Sequence, residues 1–286
     1  MFRLGKHVAR ILLTVLLGGI LGATLLRVAP GFGVDEEELD SRLNDQSIRA
    51  LRQEQQTDTN VITFYFRYLG RMLHGDLGIS RTLRRPVSEL LRERLPETAK
   101  SVTLSLALGW ALSFALVILA LMSRSWSVDL FGSVISGFLL GLPAAVLSVL
   151  FVMSRAPARL VLALIVFPNV YRYVRNLLLR SASQPHVLMA QAKGLGNFRI
   201  MLWHILWPAA PQLLALGGVS VSLALTAAIP VEALCDLPGI GQLAWKAALG
   251  RDLYLLVNLT MVVTVITLLA NSASNLLGEA FRPSAA

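Results

Sequence analysis

Residues 101–123 decide the fold: they read SVTLSLALGWALSFALVILALMS and contain no charged side chain. At a rise of about 1.5 Å per residue, a helix of this length is about 35 Å long. The hydrocarbon core of a bilayer is about 30 Å thick, and an uncharged apolar run of 18 or more residues is typical of a transmembrane helix. This stretch therefore predicts that the chain crosses a membrane.

The composition of the whole chain agrees with that prediction. Apolar residues make up 55% of the 286 residues and charged residues only 15%, whereas about 25% of the residues in a soluble domain are charged. The excess of apolar surface indicates contact with lipid. The single cysteine, Cys235, excludes an intrachain disulfide, and no motif for a metal, a cofactor or a nucleic acid is present. We therefore expect a multi-pass membrane protein without a cofactor.

Five further segments are predicted to cross the membrane. The first, Ile11–Leu26, follows several basic residues, so a cleaved signal peptide is the rival interpretation. The others are Leu130–Ser154, Leu160–Tyr171 with a basic continuation to Arg180, Ile205–Val231 and Leu253–Gly278.

Several polar or helix-breaking residues in and around these spans carry expectations of their own. Pro96 is expected to end a helix over Val87–Leu95, and Pro143 to kink the third span near its middle. Pro168 interrupts the apolar run of the fourth span. Arg172 and Arg175 face either the translocation path or, as we favour, snorkel to an aqueous surface.

Charge divides the chain into three parts. Twelve of the seventeen acidic residues lie between Asp35 and Glu97, which indicates an extramembrane region. Basic residues near the span ends place the N-terminus inside, although Arg155 and Arg159 disagree with this rule. The predicted parts are a first transmembrane helix over 1–29, an extracytoplasmic region over 30–97, and a core of five transmembrane helices over 98–280. We therefore expect an all-α membrane protein with about six transmembrane helices and an N-terminal outer extension.

The loop over residues 181–204, between the fourth and fifth predicted spans, lies on the cytoplasmic side in this topology. A helical pattern runs through it and breaks at glycine. Small residues allow a partner to approach the backbone, and large apolar residues supply contacts. The segment is thus either a rigid knob for a partner protein or an ordinary loop lying on the membrane. Its candidate contact residues are Leu188, Ala190, Ala192, Lys193, Gly194, Leu195 and Phe198.

The loop over 232–252, after the fifth span, lies on the outer side and is predicted to be turn-rich. Pro238, Gly239 and Gly241 are typical turn residues. Glu232 ends a long apolar stretch, so it either lines an outer gate or is a solvated acid at the membrane interface. Within the fifth span, Gly217 and Gly218 favour close packing of two helices.

Four ordered stretches resemble one transporter family, the dipeptide, oligopeptide and nickel branch of binding-protein-dependent ABC importer permeases. The stretches cover about 65–283. They are Gly75-Asp76-Leu77-Gly78-Ile79-Ser80, Arg94-Leu95-Pro96-Glu97-Thr98, Ala190-Gln191-Ala192-Lys193-Gly194-Leu195, and Glu232 to Leu243 with Leu237-Pro238-Gly239-Ile240-Gly241, followed by Arg251-Asp252. The chain departs from the family at Leu188, near the place of the family's motif glutamate, and in the short outer loop Arg155–Arg159.

The resemblance implies the MetI-like fold of a type I ABC importer permease in the bacterial inner membrane. It also implies three kinds of partner: a second homologous permease, two cytoplasmic ATP-binding subunits and an extracytoplasmic solute-binding protein. The 181–204 loop becomes the coupling segment, in which Leu188–Phe198 dock with an ATPase. Because the chain has no G-x-x-x-x-G-K-[ST] phosphate loop, ATP hydrolysis falls to the partner subunits. The implied cargo is peptides or a similar small solute.

Two other functions stay open at this point. An ion-coupled secondary transporter needs carboxylates at membrane depth and usually an internal repeat. No repeat is apparent, and Asp129 and Glu232 both lie at span edges. The other alternative is a non-transporting membrane scaffold.

Overall fold

A computed structural model describes Gly70 and residues 76–123 and 125–281. The predicted first span, Ile11–Leu26, and most of the acidic region lie outside these residues. The described part is helical, and its only extended pairing is a single bridge between Ile79 and Pro86. It divides into two compact units. One contains 76–93 with Ala244–Val265, and the other contains Arg94–Leu243 with 266–281.

Nine α-helices and one π-helical turn occur in chain order within the described ranges. They are α1 (Val87–Ser123), α2 (Trp126–Gly141), α3 (Ala144–Met153), α4 (Ala158–Ala182), α5 (Pro185–Ala192), α6 (Asn197–Ile200), the π turn (Met201–Leu206), α7 (Trp207–Leu234), α8 (Ile240–Leu249) and α9 (Leu253–Ala280).

Three of these helical stretches are long and apolar enough to cross a membrane: Val87–Ser123, Asn197–Leu234 and Tyr254–Ala280. The consecutive helices α2 and α3 add a fourth if they form one broken span. The all-α membrane architecture is thereby confirmed, as are the second, fifth and sixth predicted spans. The six-span count is confirmed only in part, because the first span lies outside the described residues.

The prediction that Pro96 ends a helix was wrong, because α1 continues through it to Ser123. A proline removes one backbone hydrogen bond and crowds the preceding turn. Leaving the apolar residues after it non-helical would instead expose many backbone groups to lipid, and each would cost several kcal/mol. Pro168 is likewise accommodated inside α4.

Pro143 has a larger effect than the predicted kink, because it divides the third span into two helices. The axes of α2 and α3 differ by 96°. Leu142 and Pro143 between them have extended backbone angles. A proline pushes the residue before it into an extended conformation, so the helix stops at Gly141 and restarts at Ala144.

Helix α4 is the central helix of its unit and packs against α2, α3, α7 and the π turn. Its apolar face, from Val161 to Leu178, is buried almost completely. The arginines lie in its second half, and α4 is not one of the three uniformly apolar helices named above. Its 25 residues make a helix of about 37 Å, which is long enough to span. The fourth span therefore stays a prediction.

In the other unit, Asp252 ties the segment before α1 to the start of α9. The carboxylate is fully buried and accepts hydrogen bonds from Ser80 Oγ at 2.6 Å, Thr82 N–H at 3.1 Å and Leu255 N–H at 3.1 Å. The bond from Leu255 makes Asp252 the N-cap of α9. In the same segment Gly78 has a positive φ of +77°, which glycine adopts without strain.

Helices α7 and α9 approach closely at Gly218, as the Gly217-Gly218 pair predicts. A Cβ on Gly218 would lie 2.7 Å from Asn271 Oδ1 and 2.8 Å from Asn271 Cα. A Cβ on Gly217 would meet only Ser274 Oγ, at 3.6 Å. Asn271 Nδ2 also donates a 3.1 Å hydrogen bond to Ser222 Oγ, so the contact combines close packing with a polar link between helices.

We expect Gly218→Ala to destabilise the protein by about 1–3 kcal/mol, because the added methyl overpacks against backbone that cannot move cheaply. Gly217→Ala is the matched control. It adds the same methyl in ordinary contact and gains up to about 1 kcal/mol of helix propensity. Thermal unfolding of the purified protein in detergent compares the two. Equal melting temperatures for both variants would contradict close packing at Gly218.

Candidate functional site

The coupling segment folds as a short helix, a tight turn and a second helical stretch. Helix α5 begins with Pro185 at its first position, where a missing N–H costs nothing. Val187 and Ala190 face inward and are buried. The opposite side of the segment is exposed, including Ala192, Lys193 and Gly194. The prediction of a helix that breaks at glycine is confirmed.

Gly194 ends α5 in a Schellman motif. Leu195 N–H donates to Ala190 C=O at 3.3 Å, and Gly194 N–H donates to Gln191 C=O at 2.9 Å. Gly194 has φ +73°, the left-handed conformation that this motif requires and that glycine adopts without strain. A Cβ at this position would meet no atom within 4 Å. Gly194 is therefore needed for the turn, and the space beside it is open.

Large apolar side chains project from the exposed face of the coupling segment. Leu188 is 62% exposed, Met189 64% and Phe198 71%. Leu195, in the turn between them, is half-buried. Side chains of this size cost free energy in water, and clustered exposure of this kind marks an interaction surface with a protein or a membrane. Leu188, Met189 and Phe198 are called the apolar knob below.

The coupling segment is fastened to the base of α7 at the π turn. Ser181 Oγ donates to Ile205 C=O at 2.8 Å, and His186 Nε2 lies 2.8 Å from His204 C=O. Because a carbonyl only accepts, Nε2 of His186 carries the proton. A π turn shifts the backbone hydrogen-bond register, and these two side chains bond to carbonyl groups in it. The knob is thus presented on a fixed base.

Glu232, in the outer loop, is buried and only 1% exposed. Its Oε2 accepts the N–H of Gly241 at 2.7 Å. Thr98 Oγ1 accepts the neighbouring N–H of Ile240 at 2.8 Å. Together they cap the N-terminus of α8, whose first N–H groups have no partner within the helix. The alternative of a solvated acid at the interface was wrong, because the carboxylate is buried and its Oε2 accepts the Gly241 N–H in place of water.

The two glycines of the outer loop leave room for that carboxylate. A Cβ on Gly239 would overlap the Glu232 carboxyl group, and a Cβ on Gly241 would lie 2.6 Å from Ile229 Cα. Pro238, just before them, is exposed. Three of the four predicted outer-loop residues, Glu232, Gly239 and Gly241, therefore form one contact.

Two features of the site were missed at the sequence level. The outer loop was expected to be turn-rich, but it contains α8, whose buried residues Ile240, Leu243 and Ala247 have helical spacing that could have revealed it. Arg175 was expected to snorkel, but it forms two 2.5 Å hydrogen bonds with Asp129. No local pattern links residues that are 46 positions apart.

Comparison with known proteins identifies the chain. The family model described as "Binding-protein-dependent transport system inner membrane component" matches residues 102–286. The chain belongs to this family. It is an ABC importer permease, a multi-pass protein of the inner membrane. Membership sets aside the ion-coupled transporter and the scaffold as alternatives.

Two relatives share most of the permease's length. The "Putative peptide transport system permease protein" of Brucella abortus is 25% identical over 274 residues, covering 87% of each chain. The oligopeptide transport system permease protein OppB of Escherichia coli is 26% identical over 262 residues, covering 84% of each chain. The matched family region contains both the coupling segment and the outer loop.

We expect Glu232→Ala to destabilise the permease by about 1–3 kcal/mol, because it leaves the Gly241 N–H buried without an acceptor. Glu232→Gln retains an acceptor oxygen at the same place and should lose less. Thermal unfolding in detergent gives the comparison. Wild-type stability in Glu232→Ala would show that the carboxylate does not hold α8.

Proposed function

We propose that this permease moves peptides or a similar small solute across the cytoplasmic membrane, driven by ATP hydrolysis on partner subunits. The names of the relatives support peptides as cargo, since they are peptide and oligopeptide permeases. The chain itself catalyses no reaction in this proposal. Vesicle uptake with a panel of peptides, metal chelates and sugars identifies the solute.

The observation that carries the proposal is the exposed apolar knob on a fixed base. Burying Leu188 and Phe198 in a partner's groove would contribute roughly 1.5–3 kcal/mol for each side chain. The Schellman turn at Gly194 and the bonds from Ser181 and His186 fix the backbone. A partner then loses little free energy in ordering the segment. A movement of the ATPase would reach the spans through this rigid contact.

The proposed assembly has this chain beside a second homologous permease, two cytoplasmic ATP-binding subunits and an extracytoplasmic solute-binding protein. Residues 98–280 form the transporting core, and the coupling segment faces the cytoplasm. Region 30–97 and the outer loop then face the binding protein. In this arrangement Glu232, Pro238, Gly239 and Gly241 belong to the outer gate. This assignment is supported by the position of these residues, which hold the capped start of α8 just after α7, a helix long enough to span the membrane.

We expect Leu188→Asp and Phe198→Asp each to abolish co-purification of the ATPase subunits, because a carboxylate on the knob would have to be desolvated in an apolar groove. The permease should still insert, since both side chains are exposed. Leu249→Asp is the matched control. Leu249 is 70% exposed and lies in the loop that the sequence places outside. Full ATPase retention by both knob variants would reject the docking role. Loss of the ATPase subunits only from Leu249→Asp would show that the predicted topology is the wrong way round.

We further expect Gly194→Leu to abolish transport while the permease still inserts in the membrane. The new side chain would project into open space that the ATPase needs, and it would strain the left-handed turn by about 1–2 kcal/mol. Two controls separate these effects. Gly194→Asn tolerates the left-handed conformation, and Gly196→Leu adds the same bulk at an ordinary φ of −63°. Uptake at the wild-type rate in Gly194→Leu would contradict docking at this turn.

A further inference from the structure

A cavity of about 400 Å³ lies behind the coupling segment, inside one compact unit of the fold. Val187, Gln191 and Ile200 of the coupling segment line one part of its wall. The end of α1, the start of α2 and the last turns of α4 line the rest. The ion pair of Asp129 and Arg175 also lies in this wall.

The coupling segment and the start of α2 line the same cavity. Close-packed regions transmit strain. Helix α4 offers such a route, because only Ser183 and Gln184 separate its end from α5 and because it packs against α2.

The contact of α4 with the start of α2 is a bidentate ion pair. Arg175 Nε and one terminal nitrogen each donate a 2.5 Å hydrogen bond to the Asp129 carboxylate. Both side chains are about 70% buried. Such planar two-bond pairs fix the relative orientation of the groups as well as adding energy. Asp129 lies in the first turn of α2, where the helix dipole also favours a negative charge.

Packing one turn away makes the same connection rigid. Tyr171 of α4 is 1% exposed. A Cβ on Gly132 of α2 would overlap the Tyr171 ring and hydroxyl, so the aromatic side chain lies directly against the α2 backbone. The first half of α2 is thus held to α4 by an ion pair and a close contact on successive turns.

We propose that Asp129 and Arg175 are positioning residues that carry the movement of the coupling segment from α4 into α2 and onward to α3. This inference rests on the proposed docking of an ATPase on the coupling segment. Neutralising one partner leaves ATPase docking and ATP hydrolysis intact, since neither residue belongs to the knob. It weakens the attachment of α2 to α4, to which the packing of Tyr171 on Gly132 still contributes, and leaves the other charge without its partner in a partly buried place.

The test uses the complete complex of both permeases and both ATPase subunits in lipid nanodiscs. Ser136 on α2 is 1% exposed, so Ser136→Cys in a Cys235→Ser background reacts with N-ethylmaleimide only when α2 separates from its neighbours. Labelling is measured with and without ATP plus vanadate. With the ion pair intact, nucleotide should change the labelling rate by at least about fivefold, the lower range of coupling between distant sites.

Asp129→Asn and Arg175→Gln should each reduce that nucleotide response while ATP hydrolysis continues. The charge exchange Asp129→Arg with Arg175→Asp should restore it. Arg180→Gln, which changes an exposed arginine of the same helix, should leave it unchanged. This pattern separates coupling from a merely structural role, because stability alone does not predict rescue by exchange.

An unchanged response in the single variants, a missing response with the pair intact, or an exchange that assembles without rescue would overturn the inference. So would loss of the ATPase subunits from Asp129→Asn, which would assign the pair to assembly instead. A different result would reject the proposed function itself: the unmodified permease would retain no ATPase subunit.

Discussion

Inside a bilayer, a backbone N–H or C=O group finds no water with which to pair, and this constraint governs the whole structure. It explains why α1 continues through Pro96 and α4 through Pro168, since one lost hydrogen bond costs less than an unfolded apolar segment. Where the chain does break, at Leu142 and Pro143, α2 runs up to Gly141 and α3 begins at Ala144. The permease is helical because the alternatives expose backbone to lipid.

Helix ends meet the same constraint with side chains supplied from elsewhere in the chain. Glu232 and Thr98 accept the first N–H groups of α8. Asp252 accepts hydrogen bonds from the Leu255 N–H at the start of α9, the Thr82 N–H and the Ser80 hydroxyl. Each of these buried carboxylates accepts at least one backbone N–H in place of water. The loops are therefore held in place by isolated polar residues of an otherwise apolar sequence.

The coupling segment is a loop whose backbone is held in place on three sides. Its inner face is buried, its turn is closed by two backbone bonds, and its base is attached to the π turn. What remains exposed is large and apolar, which marks an interaction surface with a protein or a membrane. The ion pair of Asp129 and Arg175 joins α4 to α2.

By itself the sequence determined the membrane class, three of the spans, the glycine turn of the coupling segment and the close approach at Gly218. Each follows from local composition or spacing, which act over a few residues. Tertiary structure alone decided that Glu232 is a buried cap and that Arg175 pairs with Asp129. These depend on groups far apart in the chain, because hydrogen-bond partners and excluded volume exist only after the helices have packed.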